Sequence, residues 1–132
     1  MKKVYKILLV ITTLIVVSLV SFVIILGITF GSNDLCGNNI TETNFSPNGK
    51  YKVVVFQRNC GATTDFSFQV SILKDKENLK NDGGNIFIID NNDIKVFWIN
   101  DKEINIGYKN NSEIFKIEEK FQKIKINYNL LN

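Results

Sequence analysis

The chain has 132 residues, of which 45% are hydrophobic, and it carries a formal net charge of +3 and no histidine. This length accommodates one domain of ordinary size. The absence of histidine excludes Ser-His-Asp and Cys-His mechanisms in their common forms and removes the usual general base near neutral pH. No catalytic motif is recognisable, and we therefore predict neither an enzyme nor a bound cofactor.

The most distinctive feature of the sequence is its N-terminal hydrophobic run. Residues 7–30 are 24 consecutive uncharged residues, nearly all of them apolar. As a helix, this run is about 36 Å long, which is enough to cross a hydrocarbon core of about 30 Å. A core helix of a soluble protein would have a polar face, and this run has none. We predict a transmembrane helix over 7–30, with the lipid bilayer as its partner.

The positive charge predicts the orientation of this helix. Lys2, Lys3 and Lys6 precede the run, and no acidic residue occurs before Asp34. Basic residues flank transmembrane helices on the cytoplasmic side, so residues 1–6 are predicted to be cytoplasmic and the C-terminal part to lie outside. Without these three lysines, 13 of the 16 basic residues remain, equal to the 13 acidic ones. A neutral outer domain argues against nucleic acid as a partner.

A signal peptide is the alternative interpretation of the run. The apolar core of a signal peptide has roughly 7–15 residues and is followed by a site of small residues. The run is longer than that and lacks an Ala-x-Ala sequence, which favours an uncleaved signal anchor, although small residues such as Gly27 keep cleavage open. Lipidation of Cys36 is rejected because Asn33, Asp34 and Leu35 do not form a lipidation site.

The rest of the chain reads as a linker followed by a β-rich domain. Residues 31–44 are rich in Gly, Asn, Ser and Thr and predict a linker, so the domain is assigned to 45–132. Alternating or continuous apolar runs predict strands at 51–58, 66–74, 85–90, 94–100 and 103–108. Turn-forming residues separate them at 46–49, 81–84, 91–93 and 100–102.

The segment 113–128 fits two patterns. Its apolar residues match a helical stripe, but they also match two strands with a turn near 120–123. The β neighbourhood and the many Ile, Phe and Tyr residues favour strands. Six to seven short strands predict a mainly β fold, in which one transmembrane helix precedes a small antiparallel meander or sandwich.

The two cysteines, Cys36 and Cys60, both follow the predicted anchor. On the outer side of a membrane disulfides persist, and a bridge would close a loop of about 25 residues, worth about 3.5 kcal/mol in the chain-entropy model. Two cysteines without histidine make a poor zinc site. We predict a disulfide, with two free structural thiols as the main alternative.

The acidic residues of the turns give no metal site. Asp90, Asp93 and Asp101 stand among asparagines and offer oxygen ligands for Ca²⁺, but their spacing matches no recognised calcium loop. Asp and Asn are also the residues that tight turns favour. We interpret these positions as turns and predict no metal.

The loop joining the two strongest predicted strands is the candidate binding site. In a functional interpretation Arg58 contacts an anion, Thr63 and Thr64 donate hydrogen bonds, and Asp65 supplies a carboxylate. In the structural interpretation, which we favour, residues 58–65 form a hairpin loop that a disulfide holds in place.

The same loop carries a family resemblance. The stretch SPNGKYK at 46–52, then VVF at 54–56, Arg58, CGATT at 60–64, Phe66 and QVSI at 69–72 resembles a family of small bacterial proteins. That family is catalogued as a domain of unknown function, often behind an N-terminal membrane segment. The resemblance extends from about Cys36 to Tyr128, with Asn48 where the family usually has Asp and a shorter stretch between Phe87 and Val96. It implies an organisation and no chemistry.

Three hypotheses for the function follow. The first is a membrane-tethered β domain outside the cytoplasm that binds another membrane or envelope protein. The second is a small-ligand-binding or enzymatic module that uses the loop at 58–65. The third is an immunity or regulatory subunit that acts inside the membrane through its helix.

Overall fold

The structure of the chain is a computed structural model, and it describes residues 1–29, 36–61 and 64–131. The chain divides into two compact units, Met1–Asp34 and Leu35–Asn132. The first contains the helix α1 (Lys2–Thr29), and the second is a β domain. Its strands are β1 (Gly37–Phe45), β2 (Tyr51–Asn59), β3 (Ser67–Lys74), β4 (Phe87–Ile89), β5 (Lys95–Asn100), β6 (Glu103–Lys109), β7 (Ile114–Ile117), β8 (Lys120–Phe121) and β9 (Ile124–Leu131). This order of elements confirms the predicted fold class, which is a mainly β domain behind one N-terminal helix.

Helix α1 begins before the apolar run and includes the three N-terminal lysines. It has 28 residues, which corresponds to a length of about 42 Å. Its side chains are exposed as far as Gly27. The hydroxyls of Thr12 and Thr13 donate to backbone carbonyls three residues earlier, at 2.9 and 2.8 Å. These hydroxyls therefore have hydrogen-bond partners within the helix and need no water. Polar groups in a hydrocarbon environment must be satisfied in this way.

The β domain is built from two sheets. One has five strands in the order β1-β2-β3-β4-β7, and the other has four in the order β5-β6-β9-β8. Neighbouring strands are antiparallel except for β6 and β9, which run parallel. The parallel pair arises because the chain leaves the second sheet after β6, adds β7 to the first sheet and then returns. Antiparallel sheets are thus confirmed, but this crossover makes the order more complex than a meander.

The main hydrophobic core combines residues of both sheets. Val53 and Val55 of β2 belong to it, while Val54 and Phe56 point to the opposite face of the first sheet. On that face they pack with Leu73, and Leu79 from the segment between β3 and β4 packs against this smaller cluster. Strand β2 is therefore buried on both faces, which explains its continuous apolar run.

The predicted linker over 31–44 is wrong for residues 37–44, which belong to β1. This strand pairs with β2 along its length, from Gly37 opposite Asn59 to Phe45 opposite Lys52. Most of its side chains are exposed because it is an edge strand, so it needs no apolar alternation. Its polar composition therefore resembles that of a linker. Of the remainder, residues 31–35 lie outside the described residues, and Cys36 directly precedes β1.

The segment 113–128 forms strands, as predicted. Ile124 and Ile126 of β9 are buried in the main core. Phe115 and Ile117 are about half exposed because β7 lies at an edge of the first sheet. Gln122 adopts a left-handed conformation, with φ of 53°, in the turn between β8 and β9.

Candidate functional site

The predicted disulfide between Cys36 and Cys60 is present. Cys36 directly precedes β1 and Cys60 directly follows β2, next to the pair formed by Gly37 and Asn59. The bridge therefore closes the open end of the β1–β2 hairpin. Since both cysteines are bonded to each other, neither is a reactive thiol or a metal ligand.

Arg58 lies on β2 and contacts two other segments. Its Nη1 donates to Oδ1 of Asn38 at 2.7 Å and to Oδ1 of Asn81 at 3.3 Å. Its Nη2 donates to the backbone carbonyl of Asn81, also at 3.3 Å. The guanidinium thus joins β1 and β2 to the segment between β3 and β4. These neutral oxygen partners give Arg58 a structural role that requires no anion.

The two asparagines extend this network to the disulfide. The amide of Asn38 donates to the backbone carbonyls of Lys80 and Asp82, at 3.0 and 2.9 Å. The amide of Asn81 donates to the carbonyl of Cys36 at 2.7 Å. We call the set Cys36, Asn38, Arg58, Cys60 and Asn81 the clamp. The clamp joins the start of β1 to the end of β2 and holds both against the segment between β3 and β4.

The remaining residues of the predicted binding loop do not gather around Arg58. Thr63 lies outside the described residues. The Thr64 hydroxyl donates to the carbonyl of Gly61 at 3.3 Å, within the turn of the loop itself. Asp65 is exposed and lines a different surface cleft, of which Arg58 is not a part. Arg58, Cys60 and Thr64 therefore stabilise the hairpin, and the described residues of the loop form no common pocket.

The cleft beside Asp65 has a volume of about 470 Å³ and lies open to solvent. Its lining residues are Gln57, Asp65, Phe66, Phe68, Asp90, Asn91, Asn92 and Asp93. Two of its carboxylates have partners in the domain, since Asp93 pairs with Lys109 Nζ at 2.5 Å and Asp90 Oδ1 accepts from the Glu113 backbone at 2.9 Å. No group of three acidic, Cys or His residues that could hold a metal occurs among the described residues.

Asp101, the third acidic turn residue, lies in the turn between β5 and β6. Its Oδ1 accepts a hydrogen bond from the backbone N–H of Asn48 at 2.8 Å. This bond joins the β5–β6 turn to the β1–β2 turn, whose Gly49 has a φ of 65°. Asp101 is thus a structural turn residue, in agreement with the sequence interpretation.

A polar surface that the sequence analysis did not identify lies on the outer side of the second sheet. Phe97 of β5 is opposite Asn105 of β6, which is opposite Asn127 of β9. Asn105 Nδ2 donates to Asn129 Oδ1 at 2.6 Å, and Asn127 Nδ2 donates to Glu103 Oε1 at 2.7 Å. We call Phe97, Glu103, Asn105, Asn127 and Asn129 the amide face.

The carboxylate of the amide face is held in its charged form. The hydrogen bond from Asn127 lowers the pKa of Glu103, and a second amide, from Asn100, donates to its Oε2 at 3.2 Å. The ammonium of Lys125 lies 3.8 Å from Oε1 and acts in the same direction. Polar residues alternate with Ile in β6 and with Ile and Tyr in β9, which is a sequence signal for a polar face. The parallel pairing of β6 with β9 brings these residues together, and it cannot be predicted from local patterns because the two strands are distant in sequence.

Comparison with known proteins adds a family but no activity. Residues 2–122 match a family of unknown function, DUF5412. No curated protein and no solved structure matches the chain. The match covers the apolar helix and most of the β domain, including the clamp.

Proposed function

Since the chain belongs to the family of unknown function DUF5412, we propose a role on the basis of its own residues. It is a single-pass membrane protein whose helix anchors the β domain on the outer side of the membrane. There the domain acts as a binding module for another membrane or envelope component.

The combination of an exposed apolar helix with a disulfide-bonded domain carries this proposal. Among the described residues, α1 is the one helix long and apolar enough to span a membrane, over Lys2–Gly27. An anchor and a signal sequence share these properties. The Cys36–Cys60 bridge supports an oxidising compartment for the β domain, because disulfides are rare in the cytoplasm. The lysines at 2, 3 and 6 support a cytoplasmic N-terminus.

The candidate site favours binding over catalysis. The whole sequence lacks histidine. The side chains of Arg58 and Thr64 donate hydrogen bonds to other residues of the β domain. The cleft beside Asp65 and a second one beside Tyr128 lie open to solvent and do not enclose a substrate. A rigid β domain with exposed sheet faces is suited to contact an extended partner.

The topology is tested with two reporters fused after Asn132, alkaline phosphatase and green fluorescent protein. We expect phosphatase activity and no fluorescence, because the phosphatase folds outside the cytoplasm and the fluorescent protein, exported unfolded, does not. The same reporters fused after Lys6 serve as the matched control and should give the opposite pattern. Fluorescence without phosphatase activity from the fusions after Asn132 would overturn the proposal.

Anchor and signal sequence are distinguished by the mass of the membrane-bound protein. We expect the intact chain, with Lys2, Lys3 and Lys6, to remain in membranes after a carbonate wash. A shortened chain released by the wash would identify the helix as a cleaved signal sequence.

A further inference from the structure

We propose that the amide face binds a neutral polysaccharide chain of the cell envelope. This inference rests on the proposed function, because such chains are found outside the cytoplasm. The amide face lies on strands β5, β6 and β9 of the second sheet. It adds a ligand class to the proposed binding module.

The geometry of the face is fixed by the core beneath it. Val96, Ile104, Ile106 and Ile126 alternate with the face residues and are buried in the main core. Neighbouring strands are about 4.8 Å apart, so the row from Phe97 to Asn127 spans about 10 Å. This is about the length of a disaccharide. A pyranose chain lying across the strands would meet the aromatic ring and the amides in succession.

The polar groups of the face are held in place and still offer donors and acceptors. Within the described residues, the Asn105–Asn129 bond uses one N–H of Asn105 and the carbonyl of Asn129. The carbonyl of Asn105 and the amide N–H groups of Asn129 therefore remain available to solvent or a ligand. Groups fixed before binding lose less conformational entropy on binding. Sugar hydroxyls both donate and accept, which matches this mixture of groups.

Phe97 supplies the apolar part of the site. Its side chain is 52% exposed although its neighbours along β5, Val96 and Trp98, pack in or against the core. An exposed aromatic ring presents a negative π face, on which the C–H groups of a pyranose ring stack favourably. The central row of the face, formed by Phe97, Asn105 and Asn127, carries no charge, which favours a neutral chain. Charged residues flank this row: Glu103 lies 3.8 Å from Lys125 on one side, where Lys120 is opposite Lys125, and Lys95 stands on the other side.

A protein partner fits the face less well than a glycan does. Cores of protein–protein interfaces are apolar and depleted in charged residues. Among the described residues of this face, the exposed large apolar side chains are Phe97 and Ile99, and Leu131 lies over Gly107 in the next row. Amides and a carboxylate occupy the positions where an interface core would need apolar contacts.

The test uses the full-length protein in nanodiscs and titrates it with two neutral β-linked probes, cellohexaose and chitohexaose. Binding is followed by calorimetry, with polygalacturonate as the anionic probe. We expect saturable binding of at least one neutral probe. Phe97→Ala and Asn105→Ala should each weaken it about tenfold, as expected for the loss of one stacking or bidentate contact. Phe97→Trp should retain it.

The matched control is Phe115→Ala, which removes an aromatic side chain that is 58% exposed on β7 of the first sheet. It should leave binding unchanged. Lack of saturable binding to both neutral probes, binding to polygalacturonate alone, or an equal loss in Phe115→Ala would overturn the proposal. Both sides of a nanodisc are accessible, so a negative result here is independent of the topology that the fusions measure.

Discussion

Arg58 connects three segments of the β domain through neutral oxygen atoms, so its substitution should affect stability first. Arg58→Ala removes the hydrogen bonds from the guanidinium to the oxygens of Asn38 and Asn81, and we expect the free energy of unfolding to fall by about 1–3 kcal/mol. Urea denaturation followed by the fluorescence of the single tryptophan, Trp98, measures this change. Lys76→Ala, which removes an exposed cation, is the control.

The same pair of variants separates the two interpretations of the loop. If Arg58→Ala were as stable as Lys76→Ala, the contacts of the clamp would carry no energy. Arg58 would then again be a candidate for contacting an anion.

Gly84 lies where the surrounding atoms leave no room for a side chain, although its backbone conformation does not require glycine. A Cβ atom there would lie 3.0 Å from Gln69 Cβ and from the backbone oxygens of Val70 and Phe87. Backbone atoms cannot move away easily, so Gly84→Ala should cost about 1–3 kcal/mol of stability. Gly83→Ala would approach only the Gln69 Oε1 atom, at 3.5 Å, and should stay within about 0.5 kcal/mol of the parent. Equal stabilities in thermal unfolding would contradict this packing.

Tyr128 gives the β domain a dependence on alkaline pH. Burial raises the pKa of Tyr128 to about 12, although its hydroxyl also donates to the Glu118 carbonyl at 2.6 Å. In the unfolded chain the pKa is about 10. Between these values the unfolded state loses its proton first, so this contribution to stability is complete below pH 10 and is lost as the pH rises toward 12.

The variant Tyr128→Phe isolates this contribution. It cannot ionise, so its stability should fall less steeply than that of the parent between pH 10 and 12. Chemical denaturation at several pH values measures both slopes. Parallel curves would show that Tyr128 does not contribute to the pH dependence.

Residue roles were the part of the candidate site least accessible from sequence. The sequence placed Arg58 in the candidate binding loop, but its partners lie 20 and 23 residues away, at Asn38 and Asn81. Contacts over such separations depend on the fold. The turn residues Asp90 and Asp101 were interpreted correctly, because turn preferences act locally.

At the level of elements, the disulfide determines how firmly β1 is held. Among the described residues, none of its side chains is fully buried and its one pairing neighbour is β2. The chain-entropy model assigns about 3.5 kcal/mol to a bridge between residues 24 apart in sequence. We therefore expect Cys36→Ser, Cys60→Ser and the double variant to lose similar amounts of stability, with amide exchange accelerated in β1 and unchanged in β6.

The comparison among the three variants serves as the control for this prediction. Both single variants remove the same cross-link, so each should resemble the double variant in urea denaturation. A single variant as stable as the oxidised parent would contradict the role of the bridge.

The elements show where local patterns are sufficient. Strands β2 and β3 were predicted within one or two residues because their apolar residues alternate or form a continuous run. Strand β1 was missed because its pairing with β2 and the clamp stabilise it in place of buried apolar side chains. The parallel pairing of β6 with β9 was also missed, since it depends on where β7 joins the other sheet.

At the level of the whole molecule, the distribution of charge connects the proposed topology to the disulfide. The formal excess of +3 equals the charge of Lys2, Lys3 and Lys6. If these lysines orient the helix, their replacement by glutamate removes the positive-inside signal. A fraction of the molecules should then expose Cys36 and Cys60 to the cytoplasm, where the two thiols stay reduced.

Thiol alkylation of isolated membranes followed by mass spectrometry measures that fraction. We expect it to rise from nearly none in the parent to a large share in the triple variant. Replacing Lys120, Lys123 and Lys125 by glutamate changes the net charge equally and should leave the bridge intact, because these residues belong to the β domain. A triple variant at positions 2, 3 and 6 that still forms the disulfide completely would contradict the assignment of orientation to these lysines. Since the bridge would then form without the lysine signal, the proposed outer placement of the domain would have to come from the helix itself.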